Sequence, residues 1–153
     1  MKKIYFVIAL LGCMYATEAQ TYEYKVITSL ESIVPNGLGR SRIISATEDR
    51  DYKDFTSVRT DGKTEKDKRN KSSRSDIRVK NFEETKLLNF FNLGGIRFQN
   101  IAANDAVITS KINTMIEEGW DLAFVTSAVE SDAGKGDGVG IFITRYIFKR
   151  PKQ

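Results

Sequence analysis

Apolar and polar positions alternate from Tyr22 to Leu30, with Tyr22, Tyr24, Val26, Thr28 and Leu30 on one face and Glu23, Lys25, Ile27 and Ser29 on the other. A period of two sends successive side chains to opposite faces of an extended chain, so the segment is expected as a half-buried strand. Pro35, Asn36, Gly37 and Gly39 mark a turn, and Arg42 to Ala46, with Ile43 and Ile44, is expected to return as a second short strand. Two further strands, Trp120 to Glu130 and Val139 to Arg150, flank the glycine-rich stretch Ser131 to Gly138, an arrangement that predicts an antiparallel hairpin. In the last strand Val139, Ile141, Ile143 and Ile147 fall on one face and Phe142, Tyr146 and Phe148 on the other. Apolar character on both faces predicts a central strand.

The period changes before Gly119, where Ile108, Ile112, Met115 and Ile116 recur at helical spacing while Lys111, Asn113, Thr114 and Glu117 face away. Asn104 is the expected N-cap, with Asp105 in the first turn, and Gly119 the expected C′ residue after Glu118. Ile101 joins the stripe if the helix begins a turn earlier. Upstream, Ile77 to Ile101 holds two apolar clusters separated by Gly94 and Gly95. Leu87, Leu88, Phe90 and Phe91 suit a short helix or a buried strand, and Ile96 with Phe98 suits a strand.

The elements together predict an α+β fold: a small, mostly antiparallel sheet of three to five strands packed against one long helix, with a long charged surface insertion. A single helix covers one face of such a sheet. The aromatic face of the last strand therefore needs cover from the Phe82 to Phe98 segment, or else from a ligand or a second copy in a homodimer.

The insertion is the stretch 47–76, whose larger apolar residues are Tyr52, Phe55 and Val58, and it is expected as a flexible, charged excursion. Within it Lys63, Lys66, Lys68, Arg69, Lys71 and Arg74 stand against Glu65 and Asp67, six cations to two anions, a local +4. These six basic residues are the candidate binding site for an anionic partner.

The N-terminus has the pattern of a secretory signal: Lys2 and Lys3, an apolar run from Ile4 to Leu11, and small residues around Ala19. Residues 1–19 are thus read as a signal peptide and 20–153 as a single α+β domain. The apolar run is well short of the ~20 residues of a membrane-spanning helix, and no transmembrane span is expected. In the alternative reading Leu10-Leu11-Gly12-Cys13 is a bacterial lipobox, and Cys13 is acylated to anchor the chain in the envelope. Either way the protein is expected to be exported, periplasmic or secreted, or lipid-anchored.

Composition narrows the chemistry. The 153 residues include no histidine and one cysteine, so Ser-His-Asp and Cys-His nucleophile arrangements and Cys/His zinc cages cannot be assembled. Removing Lys2, Lys3 and Glu18 from 24 basic and 20 acidic residues leaves 22 and 19, a net +3 too mild to argue for nucleic acid. The basic stretch also lacks interleaved aromatics on which bases would stack.

Tyr22-Glu23-Tyr24-Lys25-Val26, Ile116-Glu117-Glu118-Gly119-Trp120-Asp121-Leu122 and Tyr146-Ile147-Phe148-Lys149-Arg150-Pro151 resemble a small bacterial domain family of unknown function. Its members look like strand, helix, strand, strand modules with a Gly-Trp-Glu-Leu corner and a terminal strand ending in Phe-Lys-Arg. Asp121 stands where that corner has Glu. The resemblance covers the first strand and about the last fifty residues, with 31–100 outside it, and implies a compact α/β module with no catalytic residues to carry over.

The remaining motifs have plain structural readings. Asp132 to Asp137 lacks the oxygen ligands of a calcium loop, since Gly134 and Gly136 occupy ligand positions. Gly37-Leu38-Gly39-Arg40-Ser41-Arg42 lacks the Gly-Lys-Ser/Thr ending of a phosphate loop. No metal or cofactor site is predicted. The adjacent carboxylates Glu83/Glu84 and Glu117/Glu118 are read as solvated charge, and Trp120 as a core anchor. The function expected is that of an exported, non-enzymatic module binding a protein or an anionic surface polymer of the envelope. The alternative is a carboxylate-dependent hydrolase of cell-envelope glycan, which needs two acidic side chains facing each other across a cleft.

Overall fold

A computed structural model of the chain describes residues 21–32, 41–92, 94–129 and 140–152. The signal segment, Cys13, the turn at Pro35 to Gly39, Arg40, and the Ser131 to Gly138 connection with Val139 lie outside the described residues.

The architecture is α+β. Five strands, β1 (Tyr22–Ser32), β2 (Arg42–Ala46), β3 (Phe82–Lys86), β6 (Asp121–Val129) and β7 (Ile141–Pro151), form one sheet in the order β3-β2-β1-β7-β6. Every pairing within it is antiparallel. A short pair, β4 (Phe91–Asn92) with β5 (Gly95–Ile96), stands apart, and helix α2 (Phe98–Glu117) lies against one face of the sheet. A single-turn helix, α1 (Arg74–Ile77), belongs to the insertion between β2 and β3. The hairpin β6–β7 forms, and β7 is interior, flanked by β1 and β6.

The register fixes which residues share a face. Ile27 is opposite Tyr146 and Ser45, so these side chains project to the same side, together with Ile43, Ser29 and Phe148. This is the helix side. Ile27, Ile43, Leu87, Met115, Trp120 and Phe148 form the buried core, with Ile108, Ile112 and Tyr146 packed against it. Ser29 and Ser45, also buried, give the helix side small residues beside its large ones.

The aromatic face of β7 is therefore the one the helix covers. Phe148 is fully enclosed, and Phe142 meets Phe90 with ring centroids 5.7 Å apart, so the segment before the helix contributes intramolecular cover as expected. The aromatic face thus has cover from α2 and Phe90 of the same chain. The opposite face, carrying Tyr24, Val26 and Ile147, is uncovered among the described residues.

Helix α2 begins at Phe98 with Arg97 at the N-cap, seven residues before the expected cap, Asn104. Asn104 is instead buried inside the helix, its amide spent on the strand-to-helix connection. Ile101 extends the inward stripe, whereas Ile116 is exposed. Lys111 also departs from its expected outward placement, reaching Glu83 on β3 at 3.0 Å. The C-terminal end is as read: Gly119 takes φ +85°, and the Gly119 and Trp120 N–H groups donate to the carbonyls of Ile116 and Met115.

Glu83 and Glu84 lie within β3, so Leu87 and Leu88 follow a strand and form neither a short helix nor a strand of their own. Phe98 starts the helix, leaving Ile96 alone in β5. A β-bulge between Leu122 and Phe124 re-phases β6. Leu122 faces the helix side opposite Phe148, and past the bulge Val125 does so opposite Tyr146, which sends Phe124 to the uncovered face.

Candidate functional site

The insertion expected as a flexible excursion carries its own hydrogen-bonded turns. Asp51 starts a 3-10 turn, Tyr52–Phe55, by accepting the Lys53 N–H at 3.0 Å, and the Thr56 hydroxyl donates back to the Tyr52 carbonyl at 2.8 Å. Val58 and Lys68 then exchange both backbone hydrogen bonds, at 2.9 and 3.0 Å, closing the intervening loop. Inside it Arg59 bridges to Asp67 at 2.7 Å, the Thr60 N–H donates to Asp67, and Asp61 accepts from the N–H groups of Lys63 and Thr64. Backbone N–H donors hold the Asp61 and Asp67 carboxyls below the ordinary carboxylate range, assisted at Asp67 by Arg59. Gly62 has φ +72°, a conformation that favours glycine at the tip.

Asn70 folds the far side of this loop back onto the 3-10 turn. Its Nδ2 donates to the Asp54 carbonyl, its own N–H donates to the Ser57 hydroxyl at 2.9 Å, and its Oδ1 accepts from Ser72. Lys68, Arg69 and Lys71 are thereby brought beside Tyr52 and Lys53. With Thr56, Val58 and Asn70 these residues line a surface groove of about 510 Å³. The lining holds four cations and no carboxylate, and among the described residues none of the four forms a salt bridge. Tyr52 is 72% exposed and offers the groove an aromatic surface with a hydroxyl.

Three of the six predicted basic residues, Lys68, Arg69 and Lys71, thus converge. Lys63, Lys66 and Arg74 do not line the groove, and Lys53 does. Lys53 escapes a reading by charge run because it sits ten residues before the run, between Asp51 and Asp54. The signal that brings it in is the long-range bond of Asn70, which spacing does not reveal. Chemically the groove can hold an anion by charge and hydrogen bonding, since three ammonium groups and a guanidinium are all donors.

A second cleft, of about 290 Å³, lies at the sheet end under Trp120, with Glu23, Asp49 and Glu83 in its lining beside Lys25 and Tyr24. Two of its three carboxylates, Glu23 and Glu83, are already committed to cations. Glu23 pairs with Arg150, whose guanidinium lies 4.2 Å over the Trp120 ring, and Lys25 sits 5.9 Å from the same ring. Glu83 is held below the ordinary carboxylate range by the Lys111 hydrogen bond, by the charge of Lys111 and by Lys25. A general acid for glycoside cleavage needs the opposite shift. Glu83 and Glu84 project to opposite faces of β3, one bonded to Lys111 and the other to Arg42, so they do not face each other. Trp120 is buried in the core, as read.

No group of three or more His, Cys, Asp or Glu side chains is placed to hold a metal among the described residues. Within the same residues no helix is long and apolar enough to cross a membrane. No family model, curated protein or solved structure matches the chain.

Proposed function

We propose that this chain is an exported, non-enzymatic module that binds an anionic component of the cell envelope through the groove of its β2–β3 insertion. The observation that carries the reading is the convergence of Lys53, Lys68, Arg69 and Lys71 on one groove with no carboxylate in its lining. Cations held together on a folded loop attract a polyanion more strongly than the same charges spread along a chain, and the attraction falls with ionic strength. The signal-like N-terminus supplies the expectation of export.

The test is retention on a dextran sulfate resin across a salt gradient. Replacing Lys53, Lys68, Arg69 and Lys71 together with glutamine is expected to move elution to markedly lower salt. Replacing Lys63, Lys66 and Arg74 in the same way removes three charges from the same insertion and is expected to move it much less per charge. An equal shift per charge in the two variants would assign retention to net charge and remove the groove from the mechanism.

A further inference from the structure

The face of the sheet opposite α2 has an order that its function as a bare surface does not require. Register places Phe82, Ala46, Val26, Ile147 and Phe124 in one row that crosses all five strands, β3 to β6, without a polar residue. Val26 is 44% exposed, Phe82 51% and Phe124 62%, with Tyr24 beside them at 64%. The next row reads Glu84, Ile44, Thr28, Arg145, Thr126, and the one after it Lys86, Arg42, Leu30, Ile143, Ala128. On β1 the face left open is thus the apolar one, while Glu23 and Lys25 lie on the helix side. The bulge in β6 completes the first row, because without it Phe124 would turn toward the helix side.

We propose that this face is a homodimer interface on which a second copy of the chain stacks sheet to sheet, with the two-fold axis running along β1. Two properties select a second copy. The first is area: at about 3.4 Å per residue and 4.8 Å between strands the stretches that overlap under this operation cover roughly 500 Å², the footprint of a small interface that associates at micromolar concentration. The second is self-complementarity. A rotation about β1 brings each strand over its counterpart on the other side of the axis, so β6 meets β3 and β7 meets β2 of the other copy. Phe124 then packs by Phe82 of the partner subunit, Ile147 fills the space over the partner's small Ala46, and the two Val26 side chains meet on the axis. The two Arg145 groups fall on opposite sides of the axis, each one strand away from Glu84 of the partner subunit. Two sheets packed this way sit about 10 Å apart with their β1 strands aligned.

The interface is separate from the basic groove and stands or falls independently of it. Sedimentation of the full chain over a concentration series reads it directly. The wild type is expected to be a dimer in the micromolar range, and Val26→Lys, which buries an unpaired charge at the axis, is expected to weaken association by roughly 100-fold or more with an unchanged far-UV spectrum. Phe124→Glu gives a second, independent disruption at the end of the row, and Val107→Lys on the outer face of α2 is the control expected to leave association unchanged. In a Cys13→Ser background, Val26→Cys is expected to form dimers with a short bis-maleimide where Val107→Cys does not. A wild-type chain that remains monomeric at high micromolar concentration, or a dimer that survives both disruptive substitutions, overturns the proposal.

Discussion

Asn104 of α2 pairs with both backbone polar groups of Leu88: its Oδ1 accepts the Leu88 N–H at 2.8 Å and its Nδ2 donates to the Leu88 carbonyl at 2.8 Å. The remaining Nδ2 hydrogen reaches Glu31 of β1 at 2.9 Å, so one amide ties helix, connection and sheet together. Asn104 is 1% exposed, and buried backbone groups deprived of such a partner carry their full desolvation cost.

Asn104→Leu is therefore expected to destabilise the fold by about 2–4 kcal/mol, since it strands the N–H and the carbonyl of Leu88 together. Asn104→Asp keeps the acceptor but sets a second carboxylate beside Glu31. Its deficit is expected to be small in acid and to grow as pH rises through the carboxylate range, because burial and Glu31 both favour the neutral form of the new group. Urea unfolding at pH 4 and pH 7 separates the two variants. Equal loss for Asn104→Asp at both pH values would contradict the assigned contacts.

The same residue shows where the sequence was legible and where it was not. Asn104 is a good N-cap by type, and nothing local distinguishes a cap from a buried latch whose partner, Leu88, lies sixteen residues away. Gly119 was legible because its role is local: a backbone turn that needs φ > 0 favours glycine in any context. Alternation in β1 identified a strand and its two faces. It could not say that Ile27 and Ser29 lie under the helix while Tyr24 and Val26 stay outside, because that choice is made by α2 and by the serines beneath it. In the insertion, the charges of Lys68, Arg69 and Lys71 were visible, but their convergence with Lys53 depends on Asn70 reaching back to Asp54.

Gly119→Ala is expected to cost about 1–2 kcal/mol, the penalty of a Cβ in the left-handed region. Beyond its own chain neighbours, no atom of the described residues lies within 4 Å of the added Cβ, so the cost is conformational. Gly119→Asn should recover part of it, because asparagine tolerates that region better than alanine. Thermal midpoints for the three proteins check the order; a midpoint for Gly119→Ala equal to wild type would be incompatible with the observed φ.

Trp120 is the sole tryptophan of the chain, and the Arg150 guanidinium lies over its ring while bonded to Glu23. Arg150→Gln is expected to lose about 0.5–1 kcal/mol of cation–π attraction and to admit water to that side of the indole. The folded-state fluorescence should shift to the red. Lys152→Gln, two residues on and exposed, leaves the stack intact and serves as the control, so a red shift of the same size in both would detach the signal from the Arg150 contact.

The Lys111 bond to Glu83 joins the helix to the second strand from β1, and it gives stability a defined dependence on acid. The ammonium of Lys111 holds the Glu83 carboxyl below its ordinary 4.5, so the folded form binds a proton less readily than the unfolded chain. A depressed carboxyl adds stability above its unfolded value and loses it as pH falls through the folded one. The side chain of Glu83 is 59% exposed, and solvent screening reduces the pair to about 0.5 kcal/mol. Glu83→Gln is thus expected to lower the thermal midpoint by about 1–2 °C at neutral pH. The difference from wild type should stay level down to about pH 5 and close in more acid buffer as wild-type Glu83 takes up its proton. A gap that persists unchanged at pH 3 would mean that Glu83 acts through packing and not through its charge.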